Sequence, residues 1–155
     1  QYEKGSDRKK TEIYNFLVKN MKWMNNWDLI DTTVPRTIGR HLFTSDRKNI
    51  YKWARSRSLW KRRVAILSTF YFIKKGELQE TLNVCKKLLH DKEDLIHKAC
   101  GWMLRELGKK SPEHLRSFIR THYDDMPRTT LRYAIEKWSA RERKRALEGK
   151  WSEPC

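Results

Sequence analysis

The chain has 155 residues, with 35 lysines and arginines against 19 aspartates and glutamates, giving a formal charge of +16. That length suits one domain with a real core and excludes two independent ones, and 38% hydrophobic with 12% aromatic residues excludes a disordered composition. No apolar run of about 18 residues and no charged-then-apolar leader is present, so neither membrane insertion nor secretion is expected, while the cationic excess predicts attraction to a polyanion.

Taken in order, nearly every segment reads as helix and strand signals are absent. A first helix is expected over 7–23, with Ile13, Phe16, Leu17 and Met21 as its apolar stripe. The Asn25-Asn26 pair supplies a cap for a second helix opening at Trp27, because an Asn side-chain oxygen takes an unpaired amide of the first turn. That helix should stop before Pro35, which disfavours helix at the residue before it, and Pro35 should start a short helix through Leu42. Ser45 is read as the cap of a helix carrying Ile50, Trp53 and Ala54. Ser58 is read as the cap of a long helix over 59–74 that ends at Gly76, a left-handed C-terminal residue.

The second half repeats this grammar. Leu78, Leu82, Cys85, Leu88 and Leu89 mark one helix, and Asp91 with Asp94 resembles a capping box ahead of a helix over 95–107 closed by Gly108. Ser111-Pro112-Glu113 combines a cap, a proline at the first helical position and an acid in the first turn. A last helix is expected from Pro127 to about Glu148, so that 1–149 forms one domain and 150–155 a short tail. Three cysteines (Cys85, Cys100, Cys155) without CxxC spacing fit a reducing compartment, with two thiols buried in helices and one terminal. The five histidines form no metal-ligating pattern, so no metal is expected.

An internal period runs through this order. Arg62-Arg63-Val64-Ala65 is echoed by His97-Lys98-Ala99-Cys100 and by Leu131-Arg132-Tyr133-Ala134, at steps of 35 and 34 residues. Such a period, with a basic residue before small apolar ones, is that of HEAT-type helical pairs stacked in a solenoid. The fold class expected is therefore all-α, an antiparallel helix-pair solenoid with a basic concave face. On that face Arg63, Lys98 and Arg132 form a row, with Arg62, His97 and Arg128 as neighbours. A solvated charged surface is the plainer account, but the recurrence at the repeat period and the unbalanced charge favour a surface for a duplex backbone, whose phosphates accept from Arg and Lys irrespective of sequence.

Two aromatic positions stand apart. Trp27 and Asp31 lie four residues apart on one helical face, either as a core anchor beside a surface charge or as a site for a cation or for developing positive charge. Trp102 shares a face with Lys98 and Arg105. Trp53, Trp60 and Trp138 read as core, and Trp23 is open to either placement.

The stretches Asn25-Asn26-Trp27-Asp28-Leu29-Ile30-Asp31, Leu59-Trp60-Lys61-Arg62-Arg63-Val64-Ala65, Asp94-Leu95-Ile96-His97-Lys98-Ala99, Gly101-Trp102-Met103-Leu104-Arg105-Glu106, and Met126-Pro127-Arg128-Thr129 with Leu131-Arg132-Tyr133-Ala134-Ile135-Glu136-Lys137 together resemble the AlkD-type alkylpurine DNA glycosylases, which are built from HEAT-like repeats. The resemblance covers most of residues 22–138, in order and at compatible spacing. It implies a catalytic carboxylate at Asp31, lesion-lining indoles at Trp27 and Trp102, and a phosphate-binding arginine at Arg63. It also implies removal of cationic N3- and N7-alkylated purines from double-stranded DNA, by a monomer with no metal or cofactor, in the cytoplasm at the nucleoid. Family members usually carry further helical repeats ahead of the region matching residue 7, and these are expected to be lacking here. The alternative from another class is a non-catalytic duplex-binding repeat protein for damaged or distorted DNA, which needs the basic row but not Asp31 between two indoles. A helical protein-interaction scaffold would explain the repeats and leave the charge unexplained.

Overall fold

The computed structural model describes residues 2–151, and no strand occurs among them. Helix α1 (Asp7–Lys19) starts where the Ser6 hydroxyl accepts from the Lys9 amide, and its chain continues into a 3-10 turn, Met21–Trp23. Phe16 departs from the expected stripe: it is 64% exposed, as Trp23 is at 67%, while Tyr14 takes the buried position on α1.

Helix α2 (Trp27–Thr33) is capped by Asn26, whose Oδ1 accepts from the Asp28 amide at 2.8 Å. As an α-helix it stops at Thr33, before Pro35 as expected, but the chain does not leave helical geometry there. Val34 keeps helical angles, and the chain passes through one π-helical turn, Pro35–Gly39, into α3 (Arg40–Phe43). Proline has no amide to donate, so the wider turn reseats the ladder, and the Gly39 amide reaches the Val34 carbonyl at 2.9 Å. The start of α4 (Lys48–Ala54) also differs from expectation: Arg47, not Ser45, stands at its N-cap without a side-chain bond, and Asp46 accepts from the Lys48 amide at 2.9 Å.

Helix α5 (Leu59–Lys74), capped by Ser58 and followed by Gly76 at φ +82°, is the central element. Every residue from Arg63 to Thr69 is buried, and α2, α3, α4, α6 and α7 all pack on it. Helix α6 (Gln79–Leu88) contributes Val84 and Cys85 to the core, and burial pushes the Cys85 thiol up, beside Cys100 of α7. Helix α7 (Asp94–Lys110) lacks the expected capping box: Glu93 stands at its N-cap without a side-chain bond, and Asp91 accepts from Arg62 and from the Glu93 amide. Nor does Gly108 end it: that glycine lies inside the helix, where a Cβ would strike Leu115.

Helix α8 (Pro112–His122) begins at the Ser111 cap as its Ser-Pro-Glu start predicts. The single last helix is in fact two, α9 (Arg128–Ala134) and α10 (Ala140–Leu147), because Ser139 and Glu142 form a reciprocal capping box that opens a new helix. Helices α5 and α7 pack together, as do α7 and α9, and α4 packs on α6. Gly101 sets the α7–α9 distance, since a Cβ there would lie 2.7 Å from the Thr130 carbonyl oxygen. The apolar side chains form one continuous buried cluster from Tyr14 to Ala146. Among the described residues no helix is long and apolar enough to cross a membrane. Cys155 and the tail from residue 152 lie outside the described residues.

Candidate active site

Asp31 sits in the last turn of α2, on the face turned to α5. There it meets Arg63, whose Nε donates to Oδ1 at 2.9 Å and Nη2 to Oδ2 at 2.7 Å. The third arginine nitrogen, Nη1, donates to the Leu95 carbonyl at 2.5 Å, in the first turn of α7. One guanidinium thus ties three helices, and its planar fork fixes the carboxylate in plane and in position. Arg63 itself is 5% exposed, so the expected phosphate-binding arginine faces inward, onto Asp31. Asp31 is different: 16% of its side chain remains open, so its charge still reaches the surface.

Trp27 stands one turn before Asp31 on α2, and at 53% exposure it is a surface indole rather than a core anchor. Trp102 of α7 is half-buried and leans on Phe70 of α5, with ring centroids 5.7 Å apart. Among the described residues no ring contact joins Trp27 to Trp102. Trp53 is buried, and Trp60 and Trp138 pack on the core from partly buried positions.

The expected cationic row divides by how each member is engaged. Arg62 is taken up inside the fold: its Nε donates to Asp91 at 2.6 Å and its Nη1 to the Ser56 and Arg57 carbonyls at 2.9 Å. Lys98 is half-exposed and bridges to Asp94 at 2.9 Å, which raises the lysine pKa and lowers that of the aspartate. Arg128 and Arg132 of α9 lie at the surface, and both line a cavity of about 550 Å³ between α9 and α10. Arg143 and Lys144 of α10 line it too, a pair that the sequence repeat does not single out.

The Arg63–Asp31 pair was also absent from the sequence argument, yet it had a signal. Arg62 and Asp91 are 29 residues apart, Arg63 and Asp31 are 32, and Arg105 and Glu136 are 31, all close to the internal period. An acid about one period away from an arginine is therefore the mark of a staple between successive helix pairs.

A carboxylate held rigidly at a surface beside an exposed indole, in a fold dominated by cations, suits chemistry in which positive charge develops on a polyanion. Comparison with known families decides the broader class: the family model described as DNA alkylation repair enzyme matches residues 1–138. The chain belongs to that family. The span matched to DNA alkylation repair enzymes includes α1 through α9, with Asp31, Trp27, Trp102, Arg62, Arg63, Lys98, Arg128 and Arg132, and ends before α10. No curated protein and no solved structure matches the chain. Among the described residues no cluster of His, Cys, Asp or Glu could hold a metal ion.

Proposed function

We propose that this DNA repair protein is a glycosylase that excises cationic N3- and N7-alkylated purines from double-stranded DNA. The observation that carries the reading is the Asp31 carboxylate, clamped by Arg63 one turn after the exposed Trp27. Alkylation at N3 or N7 makes the purine a cation, so its bond to the sugar is already weak. Heterolysis sends the bonding electrons to the base, which leaves neutral, and positive charge passes to the sugar. A fixed carboxylate stabilises that charge and accepts a hydrogen bond from the water that adds at C1′, leaving an abasic site and a proton. Aromatic faces attract cations, by about 0.5–2 kcal/mol each, which gives Trp27 and Trp102 a preference for charged lesions.

The packing of α4–α5 on α6–α7, and of α7 on α9, supports HEAT-type stacking, with Lys98, Arg128 and Arg132 following the phosphates of the duplex. If about five phosphates are neutralised, log K falls with log salt at a slope near −4 to −5. Incubation of the chain with duplex carrying 7-methylguanine, followed by assay of free base, tests the activity. Release of 7-methylguanine and 3-methyladenine but not of uracil is expected, because uracil leaves as an anion. A second reading, a non-catalytic binder of damaged duplex, is favoured by one observation: both Asp31 oxygens already accept from Arg63. Duplex binding with no free base from either methylated purine would select it.

A further inference from the structure

The cavity between α9 and α10 lies partly beyond the family's matched span, since α10 begins at Ala140 and the match ends at residue 138. Four cations line it: Arg128 and Arg132 from α9, Arg143 and Lys144 from α10. Two carboxylates line it as well, but each is held by a cation of its own outside the lining. Glu136 pairs with Arg105 and with Lys137, and Glu148 pairs with Lys150 at 3.0 Å. The three arginines are thus left with neutral partners or none, while Lys144 also acts on the Glu148 carboxylate. Arg128 donates to the Leu147 carbonyl at 2.8 Å and to the Tyr123 hydroxyl at 3.3 Å, and Arg143 donates to the Glu136 carbonyl at 3.3 Å. Each arginine uses one Nη in these bonds, and its other donors remain for a ligand. Among the described residues Arg132 and Lys144 form no ion pair.

The remaining wall is aliphatic, built from Ile135, Ala140 and Leu147. An aliphatic floor under a cationic rim fits a unit with one apolar and one anionic end, and about 550 Å³ is ample for one nucleotide. The capping box at Ser139 and the Arg116–Glu142 pair hold α10 in place, so the rim is preset rather than formed on contact.

We propose that this α9–α10 cavity carries the phosphate-binding row of Arg128 and Arg132 onto α10, whose Arg143 and Lys144 extend the grip on a nucleic-acid strand beyond the family's shared region. The inference rests on the duplex-binding part of the function proposed above. Its ligand is the phosphodiester of a strand, and free polyphosphate shares that chemistry.

The test is fluorescence anisotropy of the full chain with a short undamaged duplex across a salt series. Arg143→Glu with Lys144→Glu is compared with Lys48→Glu with Lys52→Glu, a pair of exposed lysines on α4 with the same change of charge. The α10 variant is expected to bind about tenfold or more weakly and to lose about two from the salt slope, against about threefold or less for the α4 variant. Equal losses overturn the site, because net charge alone then explains them. Where circular dichroism shows that charge reversal unfolds α10, Arg132→Ala with Lys144→Ala replaces it, with a loss of slope still near two. Calorimetric titration with sodium tripolyphosphate separates the sources: binding abolished in the α10 variant while its duplex affinity stays at wild type assigns the site to a free anion and overturns the strand proposal. Base release is scored separately. No release with the binding contrast intact removes the glycosylase reading alone, and release without the contrast removes this site alone.

Discussion

Two neighbouring arginines on α5 make the same bond and do different things. Arg62 and Arg63 each grip an aspartate from about one helical pair away, and each adds backbone carbonyls as further acceptors. Asp91 is sealed, with 5% of its side chain open, whereas Asp31 keeps 16%. The first pair seals its carboxylate and leaves 14% of the Arg62 side chain open, so its acid serves the fold. The second is buried on the arginine side and open on the carboxylate side, so one partner supports while the other, under the proposed function, faces the ligand. Charge pairing alone therefore does not mark an acid as a candidate for chemistry; its exposure does.

The largest expected effect breaks that comparison at its reactive end. Asp31→Asn keeps an acceptor for Arg63 and removes the charge, so single-turnover release of 7-methylguanine at saturating protein should fall by about two to three orders of magnitude while duplex binding persists. Asp28→Asn, in the first turn of the same helix, should leave release near wild type and cost about 0.3–1 kcal/mol of stability through the helix N-terminus. Wild-type release from Asp31→Asn would remove the catalytic assignment.

Asp91→Asn probes the sealed pair. Breaking a buried ion pair on one side should cost about 3 kcal/mol in urea unfolding, with release per folded molecule unchanged. A loss of release as large as that of Asp31→Asn would erase the distinction between the two arginines.

Gly101→Ala sharpens the comparison from α7. Its new methyl would meet the Thr130 carbonyl and the Tyr133 side chain, a backbone clash expected to cost about 1–3 kcal/mol despite the better helix propensity of alanine. Because the new methyl meets α9 and neither Arg62 nor Arg63, thermal unfolding should register the change more than release does.

Arg116–Glu142 carries the series to its exposed limit, with about two-fifths of each side chain open. Arg116 and the Ser139 cap hold the Glu142 carboxyl down at about 2, from an ordinary 4.5. A depressed acid stabilises the fold above its unfolded value and loses that contribution as pH falls towards the folded one. Glu142→Gln should therefore lower the melting temperature slightly at neutral pH, and the difference from wild type should close between about pH 4.5 and 2. A difference that persists at the acid end would assign it to packing instead.

What the sequence made legible was largely local. Ser58 and Ser111 announce their helices, Gly76 closes α5, and the Asn26 cap puts Trp27 and Asp31 on one face. The misreadings also have local causes. Gly108 has the composition of a stop but sits where Leu115 needs room, and apolar periodicity across 127–148 hides the break that Ser139 and Glu142 impose. The site was only half visible. Asp31 and Trp27 could be named, but the inward turn of Arg63 depends on a partner 32 residues away, and cations on a surface look alike in sequence whether or not an acid holds them. The α9–α10 cavity escaped for the same reason, since it exists only because two short helices fold back where one long helix was expected.

The π turn at Pro35–Gly39 has a mechanical consequence. Ile30, Val34, Ile38 and Leu42 are all buried, at intervals of four residues. On a straight α-helix each such interval drifts by about 40°, so the last side chain would be carried well round the axis from the first. The wider turn takes up part of that drift and keeps the four in line. Upstream of it lies the carboxylate that meets Arg63, downstream the leucine that anchors α3, and the two are geared to each other like teeth on one shaft. Deleting a single residue within 35–39 would turn one against the other by about 100°. The phase of the Asp31 side chain is thus set by a core contact three turns away.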